Sequence, residues 1–115
     1  MPEKPRFYTW RSCSTCRNAK KSLDRLGVRV EERDFFANPL TRDELRDLAY
    51  TIGIENLFSW RSPSAKPYRD RKDNISTGEL INAMLQEPRL IRRPIIISPD
   101  NLPIVGFNKA EYAKL

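Results

Sequence analysis

Cys13 and Cys16, separated by two residues, are the groups in this chain best suited to covalent chemistry. They follow Phe7-Tyr8-Thr9-Trp10, an aromatic run with strand character. A helical pattern starts at the second cysteine: Cys16, Ala19, Leu23 and Leu26 form one stripe at helical spacing, and Gly27 ends it. A cysteine at such a strand-to-helix turn meets unpaired backbone N–H groups and the positive end of the helix dipole, which favour thiolate over thiol. Settings of this kind bring a cysteine pKa from about 8.5 into the range of roughly 3.5–7.5. Cys13 is therefore expected to be the nucleophile, helped by Arg11 and Arg17 if they point inward. Cys16, one turn into the helix, is expected to attack an adduct on Cys13 and close a disulfide.

Other uses of the pair fit less well. Two cysteines three positions apart staple almost nothing. A zinc site is not expected, because the chain has no histidine and no second cysteine pair. A pair of unreactive thiols is the bland alternative, and the strand–CxxC–helix context weighs against it.

The 115 residues are expected to form one domain, 1–115, large enough for a core without staples. The net charge of +6, from 21 basic and 15 acidic side chains, suits an anionic substrate or an acidic partner surface. Direct nucleic-acid binding is not expected, because no recognised DNA- or RNA-binding motif accompanies the charge. Met1-Pro2-Glu3-Lys4-Pro5-Arg6 lacks the apolar core of a signal peptide, and no apolar run approaches membrane-spanning length. The expectation is a cytoplasmic monomer, in whose reducing surroundings a CxxC pair is catalytic or sensing rather than structural.

The elements that must carry the pair follow in order. Residues 7–10 read as a first strand, 14–26 as a first helix, and 28–34 as a second strand, since Val28 and Val30 alternate with charged residues. Strand, helix, strand with short connections is a βαβ unit with parallel strands. Thr41-Arg42-Asp43-Glu44 is a capping box opening a second helix whose stripe is Leu45, Leu48, Ala49 and Ile52, with Gly53 as its stop. From 55 to 74 the pattern weakens to a charged loop, with at most a short helical turn at Leu57, Phe58 and Trp60. Ser76-Thr77-Gly78-Glu79 caps a third helix, Ile95-Ile96-Ile97 reads as a buried strand, and residues 102–107 are its hairpin partner, with Pro103 marking an edge. Asn108-Lys109-Ala110-Glu111 caps a short last helix. The order β-α-β-α-(loop)-α-β-β-α predicts an α/β fold with a mixed four-stranded sheet covered by helices.

Three motifs in this order and spacing, Cys13-x-x-Cys16-Arg17-Asn18, Arg92-Arg93-Pro94-Ile95-Ile96-Ile97 and Gly106-Phe107-Asn108, resemble the arsenate reductase (ArsC)/Spx family. The match extends to Asn38-Pro39-Leu40-Thr41-x-x-Glu44-Leu45 and runs over nearly the whole chain. The resemblance implies a thioredoxin-like (glutaredoxin-like) fold with a helical insertion between the βαβ unit and the hairpin, and a cis peptide before Pro94. In the family's arsenate reductases a cysteine matching Cys13 attacks arsenate, three arginines bind the oxyanion, and glutathione with glutaredoxin completes the reduction. Arg61 and Arg93 fall at two of those arginine positions; the third falls near Gly106-Phe107, which carries no cation, and Cys16 stands where those reductases commonly lack a cysteine. The other branch, the Spx regulators, binds the C-terminal domain of the RNA polymerase α subunit and uses its CxxC as a disulfide switch.

The resemblance thus implies a thiol-dependent oxidoreductase acting on an oxyanion or disulfide, with Cys13 as nucleophile and Cys16 as resolving thiol. Arg61, Arg93 and Arg17 would hold an anionic substrate. No bound cofactor or metal is expected, and thioredoxin or glutathione/glutaredoxin would be the external thiol reductant. The alternative is a redox-switched regulator of the Spx kind that binds the polymerase α subunit. The loop at Arg61-Ser62-Pro63 and the end of the chain at Leu115, without the basic extension of many Spx regulators, lean the expectation toward the enzyme.

Overall fold

The computed structural model describes residues 4–115, so the reading of Met1-Pro2-Glu3 lies outside it. The chain divides into two compact units, one formed by residues 4–38 and 93–115 and the other by residues 39–92.

The first unit carries a four-stranded mixed sheet in the order β2-β1-β3-β4. Its strands are β1 (Arg6–Thr9), β2 (Glu31–Asp34), β3 (Ile95–Ile97) and β4 (Pro103–Val105). β1 pairs parallel with β2 and antiparallel with β3, and β3 pairs antiparallel with β4. Pro103 therefore opens an edge strand, where its missing N–H is tolerated. β1 and β3 are central, and Phe7, Ile95, Ile96 and Ile97 are buried.

Helix α1 (Ser14–Arg25) lays Ala19 and Leu23 on Phe7 and Ile96, with Tyr112 completing the buried cluster. Tyr112 comes from a short C-terminal helix, Lys109–Tyr112, whose N-cap Asn108 accepts from the Glu111 N–H at 3.1 Å. α1 ends in a Schellman motif: the Gly27 N–H bonds Asp24 O at 3.1 Å and the Val28 N–H bonds Leu23 O at 3.0 Å, with Gly27 at φ 70°. This corrects the second strand, expected from Val28. The Val28 amide is spent on closing the helix, so the ladder starts at Glu31, while Val28 and Val30 pack against the core as an extended approach to it. The hairpin strand is likewise shorter than the expected 102–107: the Gly106 N–H still bonds the in-register Pro94 O at 2.8 Å, but Pro94 has no N–H to return and the paired strand ends at Val105.

The second unit is helical. α2 (Arg42–Ile52) opens on a complete capping box: the Thr41 hydroxyl accepts from the Glu44 N–H at 3.2 Å and the Glu44 carboxylate from the Thr41 N–H at 2.9 Å. Gly53 stops it at φ 93°. α3 (Ile54–Leu57) packs on α2, and the stretch expected as a charged loop instead holds two turns of 3-10 helix, Pro63–Ala65 and Lys72–Asn74, and between them α4 (Lys66–Arg69). Charges stitch it: Arg69 donates to the Trp60 and Ser62 carbonyls at 2.7 and 3.1 Å, and Lys72 lies over the Trp60 ring at 4.9 Å. α5 (Thr77–Gln86) is capped by Ser76, which accepts from the Glu79 N–H at 3.1 Å. The Glu79 carboxylate turns to Arg71, 3.1 Å away, so half of the expected capping box forms. Numbered in chain order, the C-terminal helix of the first unit is α6.

Candidate functional site

Cys13 is the N-cap of α1, in extended conformation (φ −84°, ψ 123°) between the last β1 residues and the first helical turn. The turn is fixed from both sides, by the Cys13 N–H on Trp10 O at 3.1 Å and the Arg17 N–H on Cys13 O at 3.0 Å. The sequence forms the helix here because Cys16, Ala19 and Leu23 drop onto the sheet as one buried stripe. No acidic residue occupies the first turn, so nothing there neutralises the positive end of the dipole.

The two thiols are free and differ in surroundings. Cys13 is half-exposed and Cys16 is 1% exposed, so a reagent reaches Cys13 first. Partial burial opposes ionisation of Cys13, but it is outweighed by the Cys16 N–H, the Cys16 thiol, the Arg93 guanidinium and the Thr15 N–H. The Cys13 pKa accordingly lies below the ordinary cysteine value. The sulfur makes no close capping hydrogen bond, so these amides act on it as facing dipoles. For Cys16, burial dominates and pushes the thiol up. The Thr9 hydroxyl and the Trp10 N–H offset this in part, and the neighbouring Cys13 sulfur adds to it. The Trp10 N–H lies 3.5 Å from Cys16 Sγ. The outer thiol thus ionises more readily than the inner one.

Arg93, half-buried, is the cation that acts on Cys13. It sits just before β3, joined to the buried Pro94 by a cis peptide. Its guanidinium carbon stands 3.9 Å from the centroid of the Trp10 ring. Trp10 in turn packs edge-on against Phe35, centroids 5.6 Å apart, and against Phe36 at 5.0 Å. Arg17 is exposed and donates to the Arg11 carbonyl at 3.2 Å, while Arg11 reaches Asp34 at 3.9 Å. Arg61 belongs to the second unit, where it is exposed and lines a cavity of about 250 Å³ with Glu55, Phe58, Trp60 and Arg92.

Sequence reasoning missed Thr9 and Trp10 as parts of the site. Their strand places one residue's hydroxyl and the next residue's amide against Cys16, and the signal was present in their position directly before the CxxC turn. Below the pair, Tyr112 donates its hydroxyl to Gly106 O at 3.2 Å. Burial, and secondarily the negative charge that Cys16 would carry, hold its phenol firmly protonated.

Among the described residues no group of three or more His, Cys, Asp or Glu could hold a metal ion, and no helix is long and apolar enough to cross a membrane. The arrangement can form a covalent bond at Cys13, steady a negative charge with Arg93, and pass the bond to Cys16.

The comparisons with known proteins bear on the family and the fold. The chain is 40% identical over 102 residues to the global transcriptional regulator Spx of Streptococcus mutans, covering 87% of this chain and 74% of that protein. It is 30% identical over 117 residues to the regulatory protein MgsR of Bacillus subtilis, covering 100% of this chain and 92% of the relative. Among solved structures, the arsenate reductase of Vibrio cholerae superposes with a TM-score of 0.84 over 99% of this chain and 98% of its own, at 19% identity, a likeness of fold alone. The family model described as ArsC family matches residues 8–115, and with these relatives it shows that the chain belongs to the ArsC family.

Proposed function

We propose that the protein is a thiol-dependent oxidoreductase whose nucleophile is Cys13 and whose resolving thiol is Cys16. The observation that carries this reading is the opposite displacement of two adjoining thiols, the half-exposed one shifted toward ionisation and the buried one away from it. With a disulfide substrate, the Cys13 thiolate attacks one sulfur, forms a mixed disulfide and expels the other half as a thiolate. Cys16 then gives up its proton and attacks Cys13, releasing the bound half as a second thiolate and leaving the Cys13–Cys16 disulfide. An external thiol reductant returns the two electrons: thioredoxin through its dithiol, or two molecules of glutathione by way of glutaredoxin. With an oxyanion such as arsenate, the same two thiols supply the two electrons that reduce As(V) to As(III). Arg93 supports the negative charge of substrate and leaving group through forked, permanently charged donors. Arg17 and Arg61 carry the substrate-binding roles that the family resemblance implies.

Turnover of disulfide and arsenate substrates, run in parallel with thioredoxin and with glutathione/glutaredoxin, tests the proposal. Cys13→Ser should abolish turnover and Cys16→Ser should trap a covalent adduct on Cys13. Normal turnover by Cys13→Ser would end this reading.

A second reading is favoured by the identities to Spx and MgsR, whose names are those of regulators. In it the same disulfide forms, but it changes binding to the RNA polymerase α C-terminal domain instead of completing a catalytic cycle. A pull-down with that domain, oxidised and reduced, separates the two readings: binding that depends on the redox state supports the regulator, and no binding in either state excludes it.

A further inference from the structure

One residue touches both thiol residues and the arginine that acts on Cys13. Trp10 accepts the Cys13 N–H on its carbonyl at 3.1 Å, offers its own N–H to Cys16 Sγ at 3.5 Å, and presents its ring face to Arg93 at 3.9 Å. The ring packs against Phe35 and Phe36, with Phe35 wholly buried. Trp10 itself is 6% exposed, and its indole N–H finds no protein partner among the described residues. Burying an unsatisfied N–H is costly, and a phenylalanine or leucine would fill the space without that cost. The indole is explained by its face, which is the best of the aromatic faces for a guanidinium.

We propose that Trp10 is a positioning residue for Arg93: its braced indole face holds the guanidinium beside the Cys13 sulfur, so that the site prefers anionic over neutral electrophiles. A guanidinium on a long side chain samples many rotamers, and stacking on a fixed plane removes that freedom before substrate arrives. Phe36, 62% exposed, forms the outer brace, and Phe35 the inner one. This inference rests on the reading above that Arg93 acts with the Cys13 thiolate.

The test uses the full reduced chain and two reagents of similar size, iodoacetate and iodoacetamide, with the modified cysteine identified by mass spectrometry. Both reagents need the thiolate, so the ratio of their rates at Cys13 cancels the thiolate fraction and reads the local positive charge. Trp10→Leu is expected to lower the iodoacetate-to-iodoacetamide ratio about five-fold, the worth of a partly desolvated cation–π contact. Trp10→Phe should fall between Trp10→Leu and the parent. In an Arg93→Gln background Trp10→Leu should change the ratio no further, because the cation it positions is gone.

If Arg93→Gln lowers the ratio and Trp10→Leu does not, the inference about Trp10 is overturned and the role of Arg93 stands. If both rates fall together in Trp10→Leu at a constant ratio, Trp10 only packs, and the inference is again overturned. If Arg93→Gln itself leaves the ratio unchanged, both the role of Arg93 and this inference fall. Should Trp10→Leu not fold, Trp10→Phe and Trp10→Tyr decide, since both preserve a buried ring while weakening its negative face.

Discussion

Thr9→Val isolates the resolving step from the attacking step. Thr9 is 3% exposed, and valine replaces its hydroxyl by a methyl group of nearly the same shape. Among the groups that help Cys16 ionise, the Thr9 hydroxyl comes first, ahead of the Trp10 N–H, and the two work against a larger burial effect. Removing the hydroxyl therefore pushes the Cys16 thiol further up and leaves the groups that act on Cys13 in place. A hydrogen bond of this kind contributes about 1 kcal/mol net, which is roughly a five-fold change in an equilibrium or a rate. Reaction with an aromatic disulfide releases one coloured thiolate when Cys13 attacks and a second when Cys16 resolves, so stopped-flow absorbance resolves the steps. The second phase should slow about five-fold while the first keeps its rate. An unchanged second phase, or an equal loss in both, would refute the assignment of Thr9 to Cys16.

The remaining predictions concern charge, pH and packing. Arg93→Gln should slow the attack of Cys13 on an anionic disulfide, and Arg17→Gln should slow it less, because the Arg17 head group is engaged with the Arg11 carbonyl at 3.2 Å; initial rates at low salt compare them. The lowered Cys13 pKa also makes stability depend on pH. Between the folded-state pKa and the ordinary value of 9.0 the unfolded chain holds a proton that the native one has released, so stability rises with pH. That contribution is complete above the unfolded value and is lost as pH falls through the folded one. Urea unfolding of the reduced parent against Cys13→Ser should therefore show a difference that grows with pH across this window; a flat difference would contradict the ionised native thiol. Tyr112→Phe should cost about 1 kcal/mol in the same assay through loss of the bond to Gly106 O, without changing the rate at Cys13.

The fold was legible where pattern and local chemistry agree. The Cys16–Ala19–Leu23 stripe, the Thr41 capping box, the run at 95–97 and Gly27 each carry a local physical rule, and each element stands close to where that rule puts it. The strand ends were not legible, because they depend on which amides are available to the ladder: the Val28 amide closes a helix, and Pro94, opposite Gly106, has none to give. The stretch from 55 to 74 was opaque because its short helices are held by ion pairs and carbonyl contacts of Arg69, Arg71 and Lys72, which leave no periodic apolar signature. At the site, the two cysteines were readable from type and spacing, and Arg93 was singled out only through the family resemblance. Trp10 was not, since an aromatic residue at a strand end reads as core, and its stack on Arg93 joins positions far apart in the chain.

Every step proposed for the two thiols depends on one sulfur ionising ahead of its neighbour. Site-resolved alkylation of the reduced protein with iodoacetamide across a pH series measures it directly. The expected result is a Cys13 profile with its midpoint below 9.0 and a Cys16 profile displaced above it. Coincident profiles at the ordinary value, or Cys16 reacting first, would contradict the claim.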